Sequence, residues 1–291
     1  VIGLTNTATD REGRSVPAPG QGILTTARET KRVFPSPLLS LDYRRAQLEE
    51  ELATVESWAS AQRKAVAREV EELSKEEDGG NAEAYAAERL VMVERLVRKK
   101  RRGAYSTWGN TFYKNLPNIA PLRGALAVWG LTIDDVAVGS FHGTSTNAND
   151  RNESQVVHRQ MEHLGRTRGN PIYCIAQKWL TGHPKGPAAA WMFNGVMQTV
   201  LSGIVPGNRN IDNSAPELQQ YHHVAYPNRS IDIASGQGGM KAGLLKSFGF
   251  GQAGAEILVI HPDYLLSTLD GADFARYARL RGARENSAYR Y

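Results

Sequence analysis

The run Val136–Phe141 mixes β-branched residues with Ala and Gly, which suits a strand packed on both faces, and it stops at His142. A Gly/Thr/Ser/Asn turn follows. A second apolar run, Pro171–Gln177, ends in the same manner, with Lys178, Gly182 and His183 in the turn beyond it. Strands of this type belong to α/β sheets, whose ligands bind outside the carboxyl ends of the strands. A lone histidine after a strand is more often structural. Two presented this way point to one shared site.

The rest of the chain surrounds these two runs with an α/β rhythm and one interruption. Val1–Thr5 reads as the end of a strand, so the chain is expected to start inside a fold, and Asn6–Gly22 is loop chemistry. From Leu41, apolar residues recur at steps of three and four through Leu48, Leu52, Val55, Ala59, Val66, Val70 and Leu73, with charges between them. Asp78–Asn81 breaks this helix, and Ala82–Arg102 supplies a second one with Ala86, Leu90, Val93 and Leu96 or Val97 on one face. The pair predicts a helical hairpin inserted at about residues 40–103. Beyond it, helices are expected over Pro121–Trp129, Asn152–Leu164 and Pro187–Leu201, the last opening on Pro and followed by Gly203. After a long polar loop, Pro206–Gly239, the runs Ala242–Phe248 and Ala255–His261 predict an antiparallel pair joined by Gly249–Gly254. A helical tail occupies residues 266–291.

Composition narrows the function. The net charge of +5 is concentrated in Arg98–Arg102, which has no interleaved aromatic residues and reads as a solvated helix end, so no nucleic-acid partner is expected. No apolar run approaches the roughly 20 residues that span a bilayer, so no membrane role is expected. One cysteine excludes an internal disulfide framework and favours a reducing, cytoplasmic location. His158 with His163, and His222 with His223, lack a Cys or Asp/Glu frame, so no metal is expected. Gly236–Lys241 lacks the spacing of a phosphate-binding loop.

Four motifs in order carry a family resemblance. They are Asn6, Asp10, Gly13, Ala18-Pro19 and Gly22; then His142-Gly143-Thr144-Ser145-Thr146; then Lys178 with Gly182-His183; and Ser247-Phe248-Gly249-Phe250-Gly251. In this order they resemble β-ketoacyl-ACP synthases. The stretches FHGTSTNANDRNES, KWLTGHPKGPAAAWM and IVPGNRN, with the helical hairpin, resemble the α subunit of fungal type I fatty acid synthase in particular.

The resemblance implies a layered α/β/α, thiolase-like fold. Residues 1–39 would close its first half and add a loop near the active site, and residues 104–265 would form its second half. It implies a decarboxylative Claisen condensation of malonyl-ACP in fatty acid biosynthesis. His142 and His183 would stabilise the enolate, and Lys178 would hold the local electrostatics, itself fixed by Glu153. Thr144, Thr146 and Phe248 would meet the phosphopantetheine arm or acyl chain, while Phe250 and Gly251 would form the oxyanion hole and acyl gate. No cofactor is expected to bind directly; the phosphopantetheine arm of the acyl carrier protein is the substrate carrier. The carrier domain, a second copy of the synthase and the larger α/β assembly are the implied partners. The neutral imidazoles also make chemical sense, because an enolate oxygen is stabilised by preorganised donors.

Such an enzyme needs a nucleophilic cysteine. Cys174 falls within an apolar run, away from any turn or helix N-terminus that favours a thiolate. The nucleophile is therefore expected upstream of Val1, and residues 1–291 alone are expected to be inactive. A dedicated synthase of short polyketide starters, or a structural assembly segment, remain the alternatives.

Overall fold

A computed structural model describes residues 2–9, 36–75, 82–116, 118–234, 239–248 and 253–290. They form two compact units, Thr30–Ala120 and the combination of Val1–Glu29 with Pro121–Tyr291.

The first unit is the hairpin. Helix α1 (Leu41–Leu73) starts at Ser40, whose hydroxyl accepts from the Tyr43 amide, and α2 spans Ala82–Trp108. Val55, Ala59, Val93 and Val97 meet in a dry seam between them. Arg63 bridges the pair, donating to Glu94 at 2.7 Å and to Glu56 at 2.9 Å. Three details differ from expectation. Helix α2 runs six residues past Arg102, so the basic run lies exposed within the helix rather than at its end, with Lys100 over the Trp58 ring. Leu90, expected on the apolar face, stays 40% exposed. Arg44 is buried over the Phe112 ring at 4.1 Å, a packing role for a charged residue that periodicity does not reveal.

The second unit is α/β. In chain order it comprises β1 (Ile2–Thr9), α3 (Pro121–Ala127), β2 (Val136–Ser140), α4 (Asn147–His163), β3 (Ile172–Ile175) and α5 (Lys178–Thr181). There follow α6 (Ala188–Ser202), β4 (Ile204–Val205), β5 (Val224–Ala225), β6 (Ile231–Asp232), β7 (Ala242–Phe248), β8 (Ala253–Ile260), α7 (Asp263–Leu266) and α8 (Gly271–Ala288). Six strands build one sheet in the order β1-β8-β7-β2-β3-β5. Strand β2 is parallel to both β3 and β7, while β7–β8 and β8–β1 are antiparallel.

Alternation along the strands places a helix on each face. Val138, Ile175, Leu245 and Val259 pack with Met192, Val196 and Val200 of α6. Gly243 lets that helix approach: a Cβ there would sit 2.9 Å from Val138 Cγ1 and 3.1 Å from Val196 Cγ1. On the opposite parity, Lys246 and its cross-strand neighbour Glu256 form a buried ion pair at 2.6 Å, shared with Gln160 of α4. The layers are thus α/β/α. Helix α6 stops where expected, at Gly203, whose φ of 71° is left-handed.

The polar span 206–239 contains β5 and β6, which two-residue strands and a polar composition conceal. Buried Asn208 ties it to the sheet, donating to the carbonyls of Cys174 at 2.8 Å and Pro227 at 3.1 Å. Its Oδ1 accepts from the Ala176 amide at 2.8 Å.

Candidate active site

Strand register creates the site. Ser140 of β2 lies opposite Ile175 of β3, and the Phe141 amide donates to the Ile175 carbonyl at 2.9 Å. Because the two strands are parallel, the chain leaves both at the same edge. His142 emerges two residues after β2, and Lys178 three residues after β3. The Lys178 ammonium donates to the His142 carbonyl, lies 3.5 Å from His142 Nδ1, and reaches Met192 Sδ at 3.3 Å. Short helix α5 then turns at Gly182 (φ 66°) and delivers His183. The His142 and His183 rings stand 5.3 Å apart at 85°.

The loop after β2 is held from below. Glu153, buried on α4, accepts from the amides of His142 at 2.6 Å and Gly143 at 3.0 Å, and from Asn149 Nδ2 at 3.1 Å. It acts on Lys178 through charge rather than through a shared hydrogen bond, so its support of the site runs mainly through the His142 backbone. Gly143 adopts φ +45°, and a Cβ there would lie 2.9 Å from Ala176 Cβ, so the loop accepts no side chain at that point. Thr146 caps α4, its hydroxyl accepting from the Asn149 amide, and Thr144 Oγ1 lies 3.3 Å from it.

Electrostatics keep both imidazoles neutral. Burial, then the Lys178 charge and His183, lower His142 to about 3. Burial, then Lys178 and Lys185, lower His183 also. The Lys185 amide donates to His183 Nδ1 at 3.2 Å, which makes that nitrogen an acceptor and leaves the proton on Nε2. Lys178 facing His142 Nδ1 selects the same tautomer there. The arrangement offers two Nε2–H donors from neutral rings. Burial pushes Glu153 up to about 6, against the hydrogen bonds that stabilise its charge. It lowers Lys178, with Glu153 opposing.

The other named residues divide. Phe248 closes β7, opposite Gly254 of β8. Phe250 and Gly251 lie outside the described residues, as do Asp10, Gly13, Ala18, Pro19 and Gly22. Cys174 sits in mid-strand, fully buried, its thiol held well above its usual value by burial and by the nearby Glu153 and Asp150 charges. Residues 158, 222 and 223 do have an acidic companion, contrary to the sequence reading: Glu162, one helical turn from His158, joins them. The i,i+4 spacing was the available signal.

Residues 106–212 match the family "Beta-ketoacyl synthase, C-terminal domain", a span that includes His142, Glu153, Lys178 and His183. The whole chain is 51% identical to fatty acid synthase subunit alpha of Candida albicans and 46% identical to that of Saccharomyces cerevisiae, in each case spanning 15% of the relative's length. Among solved structures, a noncanonical ketosynthase from P. aeruginosa aligns with 54% of this chain and 24% of its own, at 26% identity and a TM-score of 0.48. No helix among the described residues is long and apolar enough to cross a membrane. Residues 106–212 thus match the C-terminal domain of beta-ketoacyl synthases, and the chain is similar over its whole length to a 15% portion of fungal fatty acid synthase subunit alpha.

Proposed function

We propose that His142 and His183 are the decarboxylating donors of a ketoacyl synthase that works in fatty acid biosynthesis. The observation that carries this reading is the 5.3 Å pairing of two neutral rings, each with Nδ1 occupied as an acceptor. The malonyl thioester loses CO2 when the bond between its methylene and carboxylate carbons breaks. That electron pair becomes an enolate whose charge rests on the thioester oxygen, where the two Nε2–H groups donate. The enolate carbon attacks the carbonyl of an acyl chain held as a cysteine thioester. The tetrahedral intermediate then expels the cysteine thiolate and leaves the β-ketoacyl product on the carrier.

Lys178 orients His142 in this scheme, and Glu153 fixes the backbone that presents it. Thr144 and Thr146, in the histidine loop, and Phe248 meet the phosphopantetheine arm or acyl chain; Phe250 and Gly251 supply the oxyanion hole and acyl gate. Cys174 is unsuited to carry that chain, so the thiolate comes from residues outside this sequence. A second synthase copy and the other parts of a multienzyme assembly are the proposed partners. Exposed Leu90, Val91 and Met92 on α2 favour an assembly contact for the helical unit.

Condensation in the full synthase, supplied with acyl and malonyl carriers, tests the reading. The His142→Ala enzyme is expected to form no detectable β-ketoacyl carrier. Undiminished product would overturn the assignment.

A further inference from the structure

On the α4 side of the sheet, four metal-binding side chains converge outside the proposed active site. His158 and Glu162 lie one turn apart on α4, with Nε2 3.4 Å from the carboxylate. His222 and His223 immediately precede the edge strand β5. The His158 ring centroid is 4.5 Å from that of His222 and 5.3 Å from that of His223, and the last two are 4.5 Å apart. One donor atom from each of the four residues falls within 4.8 Å of all the others.

We propose that His158, Glu162, His222 and His223 form a binding site for one divalent transition-metal ion, zinc by the chemistry of its donors. Three imidazoles and one carboxylate make a four-ligand set suited to a closed tetrahedral site. Two buried nitrogens, His158 Nδ1 and His223 Nδ1, have no hydrogen-bond partner. Buried polar atoms are normally satisfied, and their concentration here calls for a ligand.

Ligand atoms around tetrahedral zinc stand about 3.3 Å apart, from bonds of about 2.0 Å. Closing the cluster to that spacing requires movement of about 1.5 Å. His223 is 3% exposed and fixed, whereas His222 and Glu162 are exposed and can rotate inward. The bound ion would clip the carboxyl-terminal half of α4 to β5. That strand forms one edge of the sheet, and its neighbouring His223 carbonyl accepts from the Ile172 amide of β3 at 2.8 Å. Such a clip stabilises the folded state in proportion to its affinity.

The test uses the full synthase chain without an affinity tag, stripped of metal and reloaded with zinc or cobalt(II) alone. The native protein is expected to retain one more equivalent of zinc per chain than Glu162→Gln or His222→Ala. It should also show ligand-field absorption of four-coordinate cobalt that both variants lack. Both substitutions are at exposed positions, so folding is preserved. Loss of a ligand should weaken binding by at least about 100-fold, beyond what loss of an outer-shell partner does. Zinc removal should lower the melting temperature of the native chain but not of His222→Ala. Equal zinc content and identical cobalt spectra in native and variant proteins would overturn the site. These readouts do not depend on condensing activity.

Discussion

Lys178 Nζ lies 3.5 Å from Nδ1 of His142 and also donates to the same residue's carbonyl, so one side chain sets both the tautomer and the backbone of the histidine. This follows from parallel pairing of β2 and β3, which delivers the two residues to one sheet edge. In the proposed scheme Lys178 acts through His142, as a positioning residue. Lys178→Ala is expected to reduce malonyl decarboxylation by about 10²-fold, the scale of losing one oriented donor, while the KM for the malonyl carrier changes little. A higher KM with unchanged kcat would instead make Lys178 a binding group.

A pH prediction follows from the depressed histidines. His142 has a folded pKa of about 3 against an ordinary 6.5, so its linked stability is fully present above about 6.5 and is lost as pH falls toward 3. Glu153 runs the other way. Its folded value is raised to about 6, so its linked stability is present below its ordinary 4.5 and is lost as pH rises through 6. Urea titrations from pH 7.5 to 4 should therefore show a decline in stability that is shallower in His142→Asn than in the native protein. Decarboxylation should show no inflection at 6.5, and one that disappears in His142→Asn would contradict the neutral-imidazole account.

The buried Lys246–Glu256 pair makes a stability prediction independent of the active site. Lys246→Met leaves the Glu256 carboxylate buried with, among the described residues, Gln160 alone to meet it, at a cost of about 3–5 kcal/mol. Adding Glu256→Met should recover most of that loss, because the unpaired charge, rather than the lost attraction, dominates the cost. Equilibrium denaturation of the two variants measures the difference. A single substitution costing under about 1 kcal/mol would mean that water reaches the pair.

Much of this architecture is legible in the sequence where burial is two-sided or periodic. Val136–Ser140 and Ala242–Phe248 are runs of apolar and small residues, and each forms a strand at nearly its expected bounds. The α1–α2 seam follows from steps of three and four, although periodicity alone did not reveal that Leu90 stays exposed. Strands β5 and β6 are hidden because two residues carry no alternation, and their placement depends on long-range pairing, β5 with β3 beside the His223 carbonyl and β6 with β4. The two histidines proposed as donors were legible as two strand ends with one chemistry. Their separation arises from the pairing of β2 with β3, while the tautomer set by Lys185 and the hold of Glu153 on the loop are turn geometry that residue types alone do not show. The His158–Glu162–His222–His223 cluster was missed because its halves meet only once β5 joins β3.

The central claim is that two neutral imidazoles act on the enolate. It is tested most directly by separating the half-reactions in the full synthase bearing His183→Ala. Acylation of the nucleophilic cysteine, followed with a labelled acyl carrier, should proceed at close to the native rate. Release of CO2 from a labelled malonyl carrier should fall by about 10²- to 10³-fold. Near-native CO2 release, or acylation lost in equal measure, would contradict the account.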